Sequence, residues 1–129
     1  MENSKIPNYR KAEILEKNYM NWKKSSLQFS GFFPIFSEFK EGYYLKNLSG
    51  NAVKLYLYLG LRTGNEDGKT WVSIETMASY FGKSKRTISD WLKELEKYNL
   101  VERMQMSPND VSYTFLLPYG LDISRSENQ

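Results

Sequence analysis

One basic stretch near the middle of the chain carries the residues best suited to bind another molecule. Residues 83–86 read Lys-Ser-Lys-Arg, with three positive charges and no negative one, and Ser89, Asp90 and Lys93 follow shortly after. The planar guanidinium of an arginine donates in pairs to an anion or to two acceptors on one edge, whereas a lysine acts as a point charge on a flexible stem. This combination suits hydrogen bonding and charge pairing with a polyanion.

The residue types missing from the chain exclude most other chemistry. Its 129 residues include no Cys and no His. The first absence excludes disulfides, thiol nucleophiles and cysteine-bound metals, and the second removes the usual general base near neutral pH and the commonest transition-metal ligand. We therefore predict no catalytic residue, no metal site and no cofactor, and we identify no small-molecule substrate.

Two further candidate sites are rejected on their spacing. The stretch 64–70, Gly-Asn-Glu-Asp-Gly-Lys-Thr, superficially resembles a phosphate-binding loop, but a P-loop has four residues between its glycines and opens a helix. Here three residues separate the glycines, and two of them are acidic and would repel phosphate. Glu94 and Glu96 lack the pairing of a metal site, so we assign them to a solvated helix face.

Length and charge indicate one domain with a mild preference for anions. A net charge of +3 and a pI near 9.0 permit a polyanionic partner without requiring one. No apolar run approaches the roughly 20 residues that span a bilayer, and the amino terminus lacks the apolar core of a secretory signal, so we expect a cytoplasmic protein without membrane contact. We divide the chain into residues 1–47, an N-terminal helix and aromatic-rich arm, residues 48–120, the folded domain, and residues 121–129, a solvated tail.

Hydrophobic periodicity and turn residues predict the elements that position the basic stretch. Ser49 precedes a helix that is apolar nearly all round, which predicts burial at the centre of the domain, and this helix is expected to end at Gly64. Gly82 is the residue best able to adopt a left-handed conformation after the next helix. The other predicted elements are a helix over residues 7–24, a short strand at 69–72, a helix after Ser73, a helix from Ser84 to about Tyr98, and a hairpin of strands 100–106 and 111–117.

The helix that begins at Ser84 has an apolar face and a polar face. Its apolar residues, spaced three and four apart, are Ile88, Trp91, Leu92 and Leu95. A rotation of 100° per residue places Arg86, Asp90, Lys93 and Lys97 on the opposite face, with Lys85 and Ser89 on the flanks. Charged residues opposite an apolar stripe are also what any surface helix shows, and Arg86 with Asp90 is an ordinary pair at i, i+4 worth about 0.2–0.5 kcal/mol.

Four residues carry a family resemblance. Ala78 lies in the middle of one helix, Gly82 follows four residues later, Ile88 six further on, and Trp91 three after that. This spacing resembles that of winged helix-turn-helix domains, and residues 73–103 look like the corresponding part of GntR-like and MarR-like bacterial regulators. The resemblance implies a mainly α protein with a small β-hairpin (α+β), a winged helix-turn-helix at residues 48–120, which inserts the helix 84–98 into the major groove of double-stranded DNA.

The resemblance also implies a set of DNA-binding residues. These are Lys83, Ser84, Lys85, Arg86, Thr87, Ser89, Asp90 and Lys93. Arg86 suits paired hydrogen bonds to a guanine edge, and Ser89 suits a base or a phosphate. Asp90 either accepts a hydrogen bond from cytosine or holds Arg86 in place.

The lysines are assigned to phosphates, and Lys83 and the hairpin depart from the pattern of the family. Lys83, Lys85 and Lys93 suit phosphates, where a point charge suffices and sequence is not read. The position of Lys83 is often a small apolar residue in this family, so either its stem packs while the amine reaches out, or the turn differs. The hairpin has Asp110 at its tip, and its nearest basic residue, Arg103, lies near the start of a strand, so we do not expect the wing to contact the minor groove.

The aromatic-rich arm leaves two alternatives open. Residues 29–44 hold seven aromatic side chains, which either wrap the domain and complete its core or form a contact between two subunits. A homodimer would place two recognition helices about 34 Å apart on an inverted repeat. Of the tryptophans, Trp71 and Trp91 are both predicted to pack in the core.

The predicted function is sequence-specific binding of double-stranded DNA. Residues 31–35 and 44–49 are similar to the amino-terminal DNA-binding module of replication initiators from plasmids and related mobile elements in low-GC Gram-positive bacteria. The protein would therefore regulate transcription or initiate replication of a mobile element. The alternative is a winged helix used as a protein–protein interaction module without direct DNA readout.

Overall fold

A computed structural model describes residues 6–64, 66–109 and 111–120, and the chain forms two compact units, Met1–Phe32 and Phe33–Gln129. The first unit contains helix α1 (Asn8–Phe29), none of whose side chains is buried. The predicted helix over residues 7–24 is correct in kind but too short, because no Gly or Pro interrupts the chain until Gly31. The tail predicted at 121–129 lies outside the described residues.

In its described part, the second unit contains the three helices and three strands that the sequence predicts after residue 48. It also contains two short helices before them, and the first strand pairs with the hairpin. Its elements are α2 (Glu38–Glu41), α3 (Tyr44–Asn47), α4 (Gly50–Arg62), β1 (Lys69–Thr70), α5 (Ile74–Phe81), α6 (Lys85–Lys97), β2 (Val101–Gln105) and β3 (Ser112–Leu116). The strands form an antiparallel sheet in the order β1-β3-β2, with Thr70 and Arg103 both opposite Thr114. None of the helices in the described ranges is long and apolar enough to cross a membrane.

The core lies where α4, α5 and α6 pack together. Leu55 and Leu59 of α4, Met77 of α5 and Leu95 of α6 are fully buried. Burying such side chains stabilises the fold by roughly 1.5–3 kcal/mol each relative to leaving them exposed.

The prediction that α4 is buried at the centre of the domain is confirmed for one of its faces only. Leu57 and Leu61 are 37% and 65% exposed, since only one face of α4 packs against the other helices. The helix also ends at Arg62 and not at Gly64, because Thr63 adopts an extended conformation and its hydroxyl donates to the carbonyl of Gly60 at 2.9 Å.

Part of the aromatic-rich section is helical and packs on the domain. Phe39 of α2 is only 4% exposed, and its ring centroid lies 5.3 Å from that of Tyr56 and 5.6 Å from that of Tyr119. Burial, reinforced by Tyr119, raises the pKa of the Tyr56 hydroxyl. The compact unit begins at Phe33, whereas the sequence-based division placed residues 33–47 with the N-terminal arm.

Phe33 packs directly on α4. A side chain carbon added at Gly60 would overlap the ring of Phe33, so the glycine provides the space that the ring occupies. The same ring meets Tyr56 edge to face at a centroid distance of 6.1 Å. Gly60 therefore fixes where the segment before α2 rests on α4.

Candidate nucleic-acid interface

Helix α6 is anchored by its apolar face, as the sequence predicted. Ile88 and Leu95 are fully buried, and Leu92 and Trp91 are 2% and 8% exposed. The Trp91 ring meets Phe81 at the end of α5 edge to face, with a centroid distance of 5.5 Å. The prediction that Trp91 packs in the core is therefore confirmed, and the rotation of α6 about its own axis is fixed.

A glycine turn sets the angle between α5 and α6. Gly82 has φ 64° and ψ 41°, the left-handed conformation that side chains disfavour. The backbone N–H of Lys83 donates to the carbonyl of Ala78 at 3.0 Å, which closes the end of α5. The predicted glycine turn therefore forms although a lysine follows Gly82, at a position that is often apolar in the family. The Lys83 side chain is exposed.

Both helices of this corner start with a serine cap. The Ser84 hydroxyl accepts a hydrogen bond from the N–H of Thr87 at 3.1 Å and donates one to the Thr87 hydroxyl at 3.0 Å. Ser73 caps α5 in the same way, through the N–H of Thr76 at 3.0 Å. The hydroxyl of Ser84 is therefore engaged in holding the helix start, and half-buried Thr87 is its partner.

Glu94 joins α6 to the start of α4. Its two carboxylate oxygens accept hydrogen bonds from the backbone N–H and the hydroxyl of Ser49, at 2.7 and 2.8 Å. The same hydroxyl accepts from the N–H of Ala52 at 3.1 Å, so it caps α4 as predicted. Glu94 is half-buried, and its carboxylate meets a helix start 45 positions earlier in the chain, a contact that the sequence did not predict. Glu96 is exposed, as predicted.

The outward face of α6 presents most of the predicted binding residues to solvent. Six of the eight are exposed, namely Lys83, Ser84, Lys85, Arg86, Asp90 and Lys93, while Thr87 and Ser89 are half-buried. The structure thus brings the predicted set together on one surface around the first turns of α6. The six exposed residues include four cationic side chains and one carboxylate.

One ion pair crosses this surface. In the part of the chain that the structure describes, Lys85 Nζ lies 3.4 Å from Glu75 Oε1. Both side chains are about two-thirds exposed. The pKa of the Glu75 carboxyl is lowered, first by a hydrogen bond from its own backbone N–H and then by the hydrogen bond and charge of Lys85. Sequence reasoning did not single out Glu75, whose partner lies ten positions away on the next helix. Arg86 and Asp90 do not form such a pair, so Asp90 does not hold Arg86 in place here.

The hairpin turns its arginine inward. Arg103 Nε donates to the buried Thr114 hydroxyl at 3.1 Å, and half-burial lowers the pKa of its guanidinium, opposed by the nearby carboxylates of Glu96 and Glu75. This arginine therefore braces β2 against β3 and does not extend toward the hairpin tip. Asp110, predicted at that tip, lies outside the described residues.

The prediction that Trp71 packs in the core is wrong. It is 66% exposed, and its ring meets Tyr113 edge to face at 6.3 Å. Thr70, the preceding residue, is buried, and successive side chains of an extended strand point to opposite faces of the sheet. The amine of Lys69 also lies over the Tyr113 ring, 5.3 Å from its centroid.

Comparison with known proteins supports the architecture. A family model described as a helix-turn-helix domain matches residues 46–101, which include α4, β1, α5 and α6. The mostly helical unit with its small three-stranded antiparallel sheet completes the pattern. The fold is a winged helix-turn-helix. In this domain α5 and α6 are the helix-turn-helix, α6 occupies the place of the recognition helix, and the β2–β3 hairpin is the wing.

A solved structure described as the N-terminal domain of a DNA-binding protein is similar to this chain. The similarity covers 81% of this chain and 89% of that chain, with a TM-score of 0.51 and 18% sequence identity. At that identity the likeness concerns the fold. Comparison with curated proteins found no match. Neither the family model nor the solved structure points to GntR-like or MarR-like regulators in particular.

Proposed function

We propose that this protein binds double-stranded DNA in a sequence-specific manner, with the first turns of α6 in the major groove. The observation that carries the proposal is the division of α6 into a face locked in the core by Ile88 and Leu95 and an opposite face on which Arg86 and Lys93 are exposed. A rigid helix with exposed donors at its start is what groove reading by a helix-turn-helix requires.

The side chains divide into one that reads bases and several that bind phosphates. Arg86 has no ion-pair partner within the described ranges, so its guanidinium is available for two acceptors on a guanine edge. Asp90, one turn later, would accept from the amino group of a cytosine. Lys83 and Lys93 would bind phosphates without reading sequence.

Lys85 and the helix caps complete the proposed interface. The Lys85 amine shares its charge with Glu75, so on binding it would either leave this carboxylate or bridge it to a phosphate. The N-termini of α5 and α6 carry partial positive charge from the helix dipole, which adds attraction for phosphate groups. This proposal contains no chemical step and needs no catalytic residue.

The biological role we propose is control of transcription or initiation of replication of a mobile element. Both roles require recognition of a particular duplex sequence by the same surface. The likeness to a domain of a DNA-binding protein supports the recognition step that the two roles share.

The experiment begins with selection of bound sequences from a random duplex pool, followed by binding titrations of the full chain. We expect Arg86→Ala to weaken binding to the selected duplex by about 1–3 kcal/mol and to reduce discrimination against scrambled duplexes. Lys97→Ala is the matched control, because it removes one positive charge from the last turn of the same helix. No enrichment of any sequence, or equal losses for the two variants, would contradict base reading by Arg86.

Salt dependence separates DNA binding from the alternative of a protein–protein module. Binding through phosphates weakens as salt rises because bound counterions are released. A chain that shows no affinity for duplex DNA at low salt, or an affinity that is constant as salt rises, would favour the protein–protein module.

A further inference from the structure

Helix α1 is long and carries large apolar side chains without burying any of them. It spans 22 residues, and Leu15, Tyr19, Trp22 and Phe29 are each more than half exposed. Helices in proteins are stabilised mainly by packing of an apolar face. Within the unit Met1–Phe32, the exposed side chains of α1 therefore lack the covering that such a helix needs.

Six apolar or small residues of α1 form a regular seam, whereas Tyr9, Ile14, Met20 and Leu27 lie off it. The seam residues are Ala12, Leu15, Tyr19, Trp22, Ser26 and Phe29, at successive spacings of 3, 4, 3, 4 and 3 residues. This alternation is the heptad spacing that keeps one stripe of a helix facing a partner helix. Tyr19 and Trp22 already touch within the seam, with ring centroids 5.6 Å apart.

The sizes of the seam residues match when two copies of α1 are aligned in opposite directions. With Tyr19 of one copy opposite Trp22 of the other, the remaining layers pair a small residue with a large one. These layers are Ala12 with Phe29 and Leu15 with Ser26. A parallel alignment instead places every residue opposite itself, which crowds the Trp22 layer and leaves the Ala12 layer empty.

Charge supports the same alignment. Glu16 and Lys23 lie on one flank of the seam, seven residues apart. In the antiparallel pair Glu16 of each copy lies beside Lys23 of the other, so two pairs of opposite charge form on that flank. The other flank carries Asn18 and Ser25, which bring no charge together.

The exposed rings supply a large part of the area that a stable contact needs. Tyr19, Trp22 and Phe29 are 57%, 62% and 77% exposed, and a fully exposed ring buries about 150–250 Å², so covering all six rings of two helices removes roughly 600–1,000 Å² from solvent. Stable protein interfaces bury about 1,200–2,000 Å². Leu15 of each copy adds to that area.

We propose that α1 pairs antiparallel with α1 of a second copy of this chain, through the seam from Ala12 to Phe29. The contact is isologous, because the same patch of each copy meets itself around a two-fold axis. It does not depend on the proposed DNA binding, and it is measured without DNA.

The first test is the mass of the full chain in solution, measured by sedimentation over a range of concentrations. We expect a dimer, and we expect Leu15→Glu to raise its dissociation constant by more than about 100-fold, since two buried leucines are lost and two carboxylates enter the seam. Leu27→Glu is the matched control, with the same change on the same helix but off the seam. A monomer at all concentrations, or equal dissociation by both variants, would overturn the proposal.

A second test fixes the direction of the helices, and the absence of native Cys makes it clean. Chains carrying Leu15→Cys and chains carrying Ser26→Cys are mixed and oxidised. The antiparallel arrangement predicts a disulfide between the two different variants and little between two Ser26→Cys chains. Efficient coupling of Ser26→Cys to itself would overturn the antiparallel alignment.

Discussion

The carboxylate of Glu94 on α6 accepts two hydrogen bonds from Ser49 at the start of α4, at 2.7 and 2.8 Å. Apolar packing alone leaves a helix some freedom to slide along its neighbour, whereas these two bonds fix the position of α6 along its axis. Because Ser49 also caps α4, the start of α4 and the last turn of α6 are held by a single group. The exposed face of α6 is thereby given a defined position.

We predict that Glu94→Gln lowers the free energy of unfolding by about 1–2 kcal/mol, because the new amide group faces two donors. Chemical denaturation of the full chain measures the change. Glu96→Gln, two residues later and exposed, serves as control and should change stability by less than about 0.5 kcal/mol. Equal effects from the two substitutions would show that the contact with Ser49 contributes nothing.

The turn between α5 and α6 gives a second prediction. Gly82→Ala forces a side chain into φ 64° and should destabilise the fold by about 1–2 kcal/mol. An added carbon at Gly82 meets no neighbouring atom, so the loss would report the backbone conformation alone. Gly50→Ala is the control, since Gly50 begins α4 with open space around it and should be neutral or slightly stabilising. Thermal unfolding of both variants decides the point, and a stable Gly82→Ala variant would refute it.

Packing of Phe33 on α4 gives a third prediction. Gly60→Ala creates an overlap with the Phe33 ring and should cost about 1–3 kcal/mol of unfolding free energy. The double variant Gly60→Ala with Phe33→Leu should lose less than the sum of the two single variants, because the smaller side chain leaves room for the methyl group. Strictly additive losses in urea unfolding would mean that the ring does not rest on Gly60.

Glu75 gives a prediction that rests on the proposed function. Its carboxylate is paired with Lys85 on the surface proposed to meet DNA, so Glu75→Gln removes a negative charge and frees a positive one. We expect several-fold tighter DNA binding and a steeper dependence on salt. Glu102→Gln, an exposed change on β2, is the control for total charge. Weaker binding by Glu75→Gln would count against phosphate contact by Lys85.

Protonation of Glu75 at low pH should strengthen DNA binding, as the Glu75→Gln substitution does. Its pKa is lowered in the folded chain, so its contribution to stability is present above the usual pKa of Glu and is lost as pH falls through the lowered value. Protonation there also releases Lys85. The gain in affinity of the wild type on acidification should therefore shrink in Glu75→Gln, which a binding titration at several pH values measures.

Local signals in the sequence located the helical corner well. Ser73, Gly82 and Ser84 mark their helix ends through bonds to residues only a few positions away, which is why the boundaries of α5 and α6 agree with the structure. The burial of Ile88 and Leu95 follows from helical periodicity in the same way. The outward direction of Arg86 and Lys93 is the other half of that pattern.

Features that depend on distant partners escaped sequence reasoning. Glu94 looks like any surface carboxylate until Ser49 is placed beside it. Exposure of Trp71 depends on which face of the sheet is covered by helices, and burial of Phe39 depends on rings from α3, α4 and the segment after β3. Composition favours the core for both aromatic residues, and only topology distinguishes them.

The most direct test of DNA contact by the outer face of α6 is the affinity of the full chain for a selected duplex at several salt concentrations. We expect the logarithm of the binding constant to fall linearly with that of the salt concentration, and Lys93→Ala to reduce the slope by about 0.9. Lys97→Ala should leave the slope unchanged. An affinity that does not depend on salt, or the same slope change for both lysines, would contradict the proposed orientation of α6 on DNA.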